Sequence, residues 1–311
     1  WTTVAATDHG VPSGASGVIL HFQNKGAAGD TMGARMKGSN DVRTSEPFPL
    51  AHFMVMTGLG IGGDLDKFEL YVGDHTEQIF ELIGYTTGGV TFFADAKDKS
   101  TTTLNEFVSV DMSATCPNAI GIIIEYISTG YQKLALRKNG SEDDRLFYAY
   151  KHGWAIVGCD GSQIFQQEID NIAMDIFVVG YITDGATFLT NATDISTATT
   201  GEWVDLTTLP EGAVIAFVEI TCIGDATSYG LRKDGSAEDI YGPASCGHCW
   251  LIVEALERVI EGKIHDETVD FFLVGHAEVA TGWTGKVMGV TNPAKVLGVA
   301  VADIAKVSGV A

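Results

Sequence analysis

The chain has 311 residues, a formal net charge of −21, 45% hydrophobic residues and 19% charged ones. That balance excludes a disordered chain, and so acidic a surface repels nucleic-acid phosphates and anionic lipid, so neither nucleic acid nor membrane is expected as a partner. No apolar run approaches the ~20 residues of a bilayer-spanning helix, and 37 glycines with abundant Thr, Ser and Val favour strands and turns over helices.

In chain order, the first strand-like run is GVILHF from Gly17, followed by ARMKGSND at 34–41, by AHFMVM around His52, and by FELIGYT around Gly84. The same four phrases return as IGIIIEYI from Ile120, LRKNGSEDD at 136–144, KHGWAIV around His152 and IFVVGYI around Gly180. They return again as AVIAFVEI from Ala213, LRKDGSAED at 231–239, GHCWLIV around His248 and FFLVGHA around Gly275. The closing glycines are 96 and 95 residues apart, so a module of about 95 residues is written three times. The first copy carries a short insertion at GLGIGGD.

Within each module the runs are short, rich in Val, Ile, Phe and Tyr, and broken by Gly, Asn, Asp and Thr, which marks strands. In YGLRKDG, Tyr229, Leu231 and Lys233 share one face and Gly230 and Arg232 the other. The Asn-Gly and Asp-Gly that follow suit a two-residue hairpin turn with positive φ at both central residues. The one amphipathic stretch that could form a helix, VEALERVIEG at 253–262, aligns with strand–turn–strand sequence in the second module and is read as strands. The expected fold is all-β: a tandem array of three β-sandwich, jelly-roll-like units at 1–100, 101–196 and 197–283, with a tail at 284–311.

Several motifs imitate chemistry. Gly58, Gly60 and Gly63 fit a dinucleotide fingerprint, but strand-like sequence follows where a helix is needed. Cys246 and Cys249 have redox spacing, yet the repeat already accounts for His248 between them. The aligned His52, His152 and His248 would form a metal site only in a tight three-fold arrangement, and read as core residues. The acidic clusters at Asp64–Asp66 and Glu142–Asp144 lack EF-hand spacing. The repeated Arg35, Arg137 and Arg232 read as structural, with Asp175 and Asp270 as expected partners, although the first module has Ile79 at that position. No catalytic residue, cofactor or metal is expected, and the chain is read as a non-enzyme.

The tail repeats Lys-Val-x-Gly-Val from Lys286, Lys295 and Lys306. It holds three Lys and one Asp, a charge of +2 on a chain of −21. Short, apolar, β-prone and basic, it suits docking on an acidic neighbouring copy. Lys286, Val287, Lys295, Val296, Lys306 and Val307 are the candidate inter-subunit residues.

The R-K-x-G-S turn, the apolar His stretch, the closing V-G-Y and the K-V-x-G-V tail together resemble β-sandwich repeat proteins of phage virions and environmental surface filaments. That resemblance implies a structural role: a self-assembling subunit of a phage tail, fibre or capsid decoration, or of an extracellular filament. The expected partners are copies of itself and other virion or filament proteins, and the expected location is a virion or the cell exterior. The alternative is a glycan-binding adhesin, with a glycan as partner and with Trp1, Trp203 and Trp283, near the module boundaries, as stacking platforms.

Overall fold

The computed structural model describes residues 1–26, 30–60, 62–223, 227–241 and 247–278, and beyond them the backbone of four two-residue strands in the tail. Regular structure is almost wholly antiparallel strand. The helical pieces among the described residues are two 3-10 turns, Ala6–His9 and Gly62–Asp64.

Each module pairs a three- or four-stranded outer sheet with an inner sheet. In the first module β1 (Thr2–Ala5), β5 (Lys67–Val72) and β3 (Met32–Met36) form the outer sheet in that order. The inner sheet runs β4 (His52–Gly58), β2 (Gly17–Asn24), β6 (Gln78–Thr86). The second module repeats this with β8 (Val108–Asp111), β13 (Ile164–Ile169), β10 (Lys133–Lys138) and β11 (Phe147–Tyr148) outside. Inside lie β12 (His152–Gly158), β9 (Gly121–Ser128) and β14 (Met174–Ile182). The third has β16 (Val204–Thr208), β20 (Val259–Ile264) and β18 (Tyr229–Lys233) outside, with β19 (Cys249–Glu254), β17 (Ala213–Cys222) and β21 (Val269–Glu278) inside.

Two strands remain, and they join the modules. β7 (Val90–Asp98) follows the first module in sequence but pairs with β14 of the second, and β15 (Ala186–Asp194) follows the second but pairs with β21 of the third. Sheet membership therefore divides the chain near residues 88 and 184, earlier than the spans read from sequence. Each linking strand also packs backwards. Phe92 sits so close over Gly17 and Gly58 that a Cβ on either would come within 2.6 Å of it. Phe188 does the same over Gly121 and Gly158.

The continuous apolar character of GVILHF, IGIIIEYI and AHFMVM has a direct cause. β4 and β12 are buried along their whole length, because one face covers the module's own sandwich and the other meets the neighbouring modules. β4, β12 and β19 touch one another pairwise, so the three modules form a ring with approximate three-fold symmetry and a common core. Met54, Trp154 and Trp250, equivalent in the three modules, are fully buried there.

The closing phrase marks a β-bulge. Ile83, Val179 and Val274, each just before the closing glycine, are skipped in the pairing with β2, β9 and β17. The Lys-x-Gly-Ser turn differs from the expected two-residue hairpin. Gly38, Gly140 and Gly235 have positive φ, but the residue before each does not. Ser39, Ser141 and Ser236 close it by donating to the carbonyls of Met36, Lys138 and Lys233. The two-residue turn with both central φ positive occurs instead at Glu257–Arg258, inside the stretch that resembled a helix.

The structure also corrects the arginine partners. Arg35 and Arg232 donate through Nε to Glu69 at 2.7 Å and Glu261 at 2.6 Å, and Arg137 donates to Gln166 at 2.8 Å. Each guanidinium lies over an aromatic ring: Trp1 at 4.2 Å, Phe107 at 3.5 Å and Trp203 at 4.2 Å. Asp175 and Asp270 lie elsewhere, bonded to Ser100 and Ser196. Their carboxyls are raised above the ordinary value, by burial first and then by Asp98 and Asp194. An arginine two or three residues from the turn reaches the facing strand of its own sheet, and the closing strand belongs to the other sheet.

Candidate functional site: three junctions between modules

The ring has three junctions, and the repeat places the same positions at each. The apolar strand of each module carries one polar residue at the same place: His21 in β2, Glu125 in β9 and Glu219 in β17, all buried. Beside it in the neighbouring strand lies the module's histidine. A residue five past the turn glycine reaches across from the preceding module: Arg43, Arg145 or Ile240.

At the first junction Arg43 bonds Glu125 at 2.8 Å, and His152 Nε2 lies 2.9 Å from the other oxygen of that carboxylate. At the second, Arg145 bonds Glu219 at 2.6 Å, and His248 Nε2 lies 2.6 Å from its other oxygen. Each arginine also pairs with an aspartate of its own loop, Asp41 or Asp143, and lies over a ring of the next module, Phe177 or Phe272. Burial alone would raise the Glu219 carboxyl. The hydrogen bonds and charges of His248 and Arg145 outweigh it and hold the group below the ordinary glutamate value.

Both junctions are clasped by the linking strand. Ser39 and the amide of Asn40 bond Asp95 of β7, and Asp41 accepts the Ala96 amide at 2.8 Å. Ser141 and the amide of Glu142 bond Asn191 of β15, and Asp143 accepts the Ala192 amide at 2.8 Å. The repeated turn therefore grips the strand that enters the next module.

The third junction, from third module back to first, is built differently. Ile240 stands at the arginine position, His21 at the glutamate position and Glu81 at the position of Phe177 and Phe272. His21 Nε2 lies 3.0 Å from His52 Nδ1, and His52 Nε2 lies 2.9 Å from the Tyr229 carbonyl. His52 also stacks on the Tyr229 ring at 4.2 Å. Burial pulls the His52 imidazole down to about 4 and, with His52 beside it, holds His21 well below its ordinary value, so both are neutral at pH 7. A cleft of about 640 Å³ opens here, lined among others by His52, Glu81, Ile83, Glu238, Asp239 and Ile240.

A pH dependence follows. The unfolded chain protonates these histidines below about 6.5, and the folded chain resists until about 4 for His52. Stability therefore falls on acidification through that window, by up to ~1.4 kcal/mol per pH unit for each histidine. Urea midpoints measured between pH 7 and 4 should show this slope, and His52→Gln should reduce it by about one proton.

The remaining sequence candidates fall as follows. The three histidines do share a three-fold arrangement, but each ring has its own partner, and none belongs to a group of three converging ligand atoms among the described residues. Carboxylates converge at Asp30, Asp74 and Glu77 and at Asp205, Asp234 and Glu261 instead. Asp64 is paired with Lys67 at 2.9 Å. Gly58–Gly63 leads into a 3-10 turn and then β5, not a helix. Cys249 is a free, fully buried thiol pushed up to about 12, which is the wrong direction for a redox nucleophile. Trp1 and Trp203 lie against Arg35 and Arg232. In the tail, Lys286–Val287 pairs with Val290–Thr291, and Lys295–Val296 with Val299–Ala300, as two small hairpins. Lys306, Val307 and Trp283 lie outside the described residues.

The structure thus brings together Arg43, Glu125 and His152, and Arg145, Glu219 and His248. Of these, only the histidines stand out when each phrase is considered alone. No protein-family model matches the chain, and no curated protein matches it.

Proposed function

We propose that the chain is a structural, self-assembling subunit of a phage particle or of an extracellular filament. The observation that carries this reading is the ring itself. Three sandwiches in one chain are locked by buried charge triads and shared linking strands, and the buried carboxylates Glu125 and Glu219 are spent on joining modules. A body of this kind suits a rigid building block. The tail, basic on an acidic body and written as repeated hairpin phrases, supplies a means of joining copies, where many weak contacts add avidity. Lys295, Val296, Lys306 and Val307 are the tail residues proposed to reach a neighbouring copy, and Lys286 and Val287 belong to the first hairpin of the tail.

Electron microscopy and light scattering of the purified chain, beside a chain ending at Pro293, test this reading. Ordered oligomers are expected from the full chain and monomers from the shortened one. Monomers from both would remove the proposal. Specific binding on a glycan array, abolished by substituting Trp1 or Trp203, would favour the adhesin.

A further inference from the structure

The inner sheet of the first module has one strand fewer than the other two. β14 is flanked by β9 and β7, and β21 by β17 and β15, whereas β6 is paired on one side only, with β2, among the described residues. The effect on burial is direct. Val179 of β14 is 8% exposed, while Ile83, its equivalent in β6, is 46% exposed. An open edge with bare apolar side chains is a place where a strand adds.

The closing glycine shows that the place is shaped for one. A Cβ at Gly180 would lie 2.6 Å from the Thr91 carbonyl oxygen of β7, and one at Gly275 would lie 2.7 Å from the Thr187 oxygen of β15. Glycine is thus required where the linking strand crosses. Gly84 keeps the same residue, yet a Cβ there would meet nothing nearer than Ile19 at 3.6 Å.

The occupant can be read from the sequence. Both linking strands begin Gly-x-Thr: Gly89-Val90-Thr91 and Gly185-Ala186-Thr187, with the glycines at φ 91° and 78°. The chain leaving β21 continues Gly282-Trp283-Thr284. The next residue is Phe92 or Phe188 in the linking strands and Gly285 in the tail. That change is matched on the receiving side. The glycine pairs under the phenylalanines, Gly17 with Gly58 and Gly121 with Gly158, become Ile215 and Glu254 in the third module. A large side chain has moved from strand to floor. One residue on is Lys286, and the cleft that β6 borders carries Glu81, Glu238 and Asp239 against a single lysine, Lys25.

We propose that residues 282–287 of the same chain add to the free edge of β6, with Thr284 crossing Gly84 and Lys286 entering the acidic cleft, so that the tail closes the third junction of its own ring. The hairpin at Lys286–Thr291 begins at the position of Phe93, where β7 leaves its register, and ends at the positions of Lys97 and Asp98, where pairing resumes.

Hydrogen exchange read by mass spectrometry tests this on the full chain, on a chain ending at Pro293 and on a chain ending at Glu278. The amides of 82–86 should exchange slowly in the first two and at least roughly tenfold faster in the third. Gly84→Val should reproduce that acceleration in the full chain. In the chain ending at Glu278 it should leave the melting temperature unchanged, since a Cβ there makes only an ordinary contact with Ile19 at 3.6 Å, which separates expulsion of the strand from misfolding. Protection must be independent of protein concentration. Equal exchange in all three chains would overturn the proposal, and so would protection that rises with concentration, which would assign the edge to a second copy. Because the chain ending at Pro293 retains the docking segment, loss of assembly and loss of ring closure are read separately.

Discussion

Arg145→Ile should destabilise the chain by about 3–5 kcal/mol, and adding Glu219→His should restore most of that loss. Arg145 is 11% exposed and the Glu219 carboxylate 1%, so removing the guanidinium strands a charge in the core with one imidazole as its remaining partner. The molecule already contains the alternative solution. The third junction sets Ile240 against His21 and His52, a neutral set that needs no counter-ion. The double variant copies it into the second junction. Denaturant midpoints of the wild type, both single variants and the double variant form a cycle, and a coupling near zero would falsify the account of the triad. The sign of the pH effect is a further check. Glu219, lowered below its ordinary value, contributes fully above about pH 4.5, and the contribution is lost as pH falls through the folded value. Arg145→Ile should abolish much of that acid limb.

Phe188→Ala should cost about 3–5 kcal/mol, the range for emptying a buried aromatic site. Phe188 is 6% exposed and stacks on Phe217 while covering Gly121 and Gly158. Its loss opens a cavity where β15 packs on the module it leaves as well as on the module it enters. Gly121→Ala should be costly for the opposite reason, because its Cβ would fall 2.2 Å from the phenylalanine ring. Thermal melts give the magnitudes. Limited proteolysis around 183–185 gives the location, with early cleavage expected in Phe188→Ala. Unchanged cleavage together with an unchanged melting point would show that the ring contact is dispensable.

Much of this architecture could be read from residue order. Three copies of a phrase at constant spacing, built from short apolar runs with glycine between them, are enough to give three strand-built modules. The junction triads were also within reach. Aligning GVILHF, IGIIIEYI and AVIAFVEI puts His21, Glu125 and Glu219 in one column, and a charge inside a fully apolar strand demands a partner. Two things were hidden. Periodicity says where a strand lies but not which sheet takes it, so β7 and β15 read as the ends of modules they in fact leave. Turn type depends on φ, which Asn-Gly and Asp-Gly suggest but do not fix. Here only the glycine takes positive φ in all three turns, and the amide of the serine after it closes each turn onto the carbonyl three residues back. The arginine partners were missed for a related reason: Glu69, Gln166 and Glu261 are brought opposite by sheet pairing, which no spacing along the chain records.

The unlike third junction has a consequence for how such a body can vary. In a trimer of separate identical chains, one gene position appears at every interface, so a change that suits one contact is imposed on all. Linking the copies end to end removes that constraint. Arginine, glutamate and phenylalanine can persist at two seams while isoleucine, histidine and glutamate take the same places at the last. The seam that closes the ring is then free to differ from the other two.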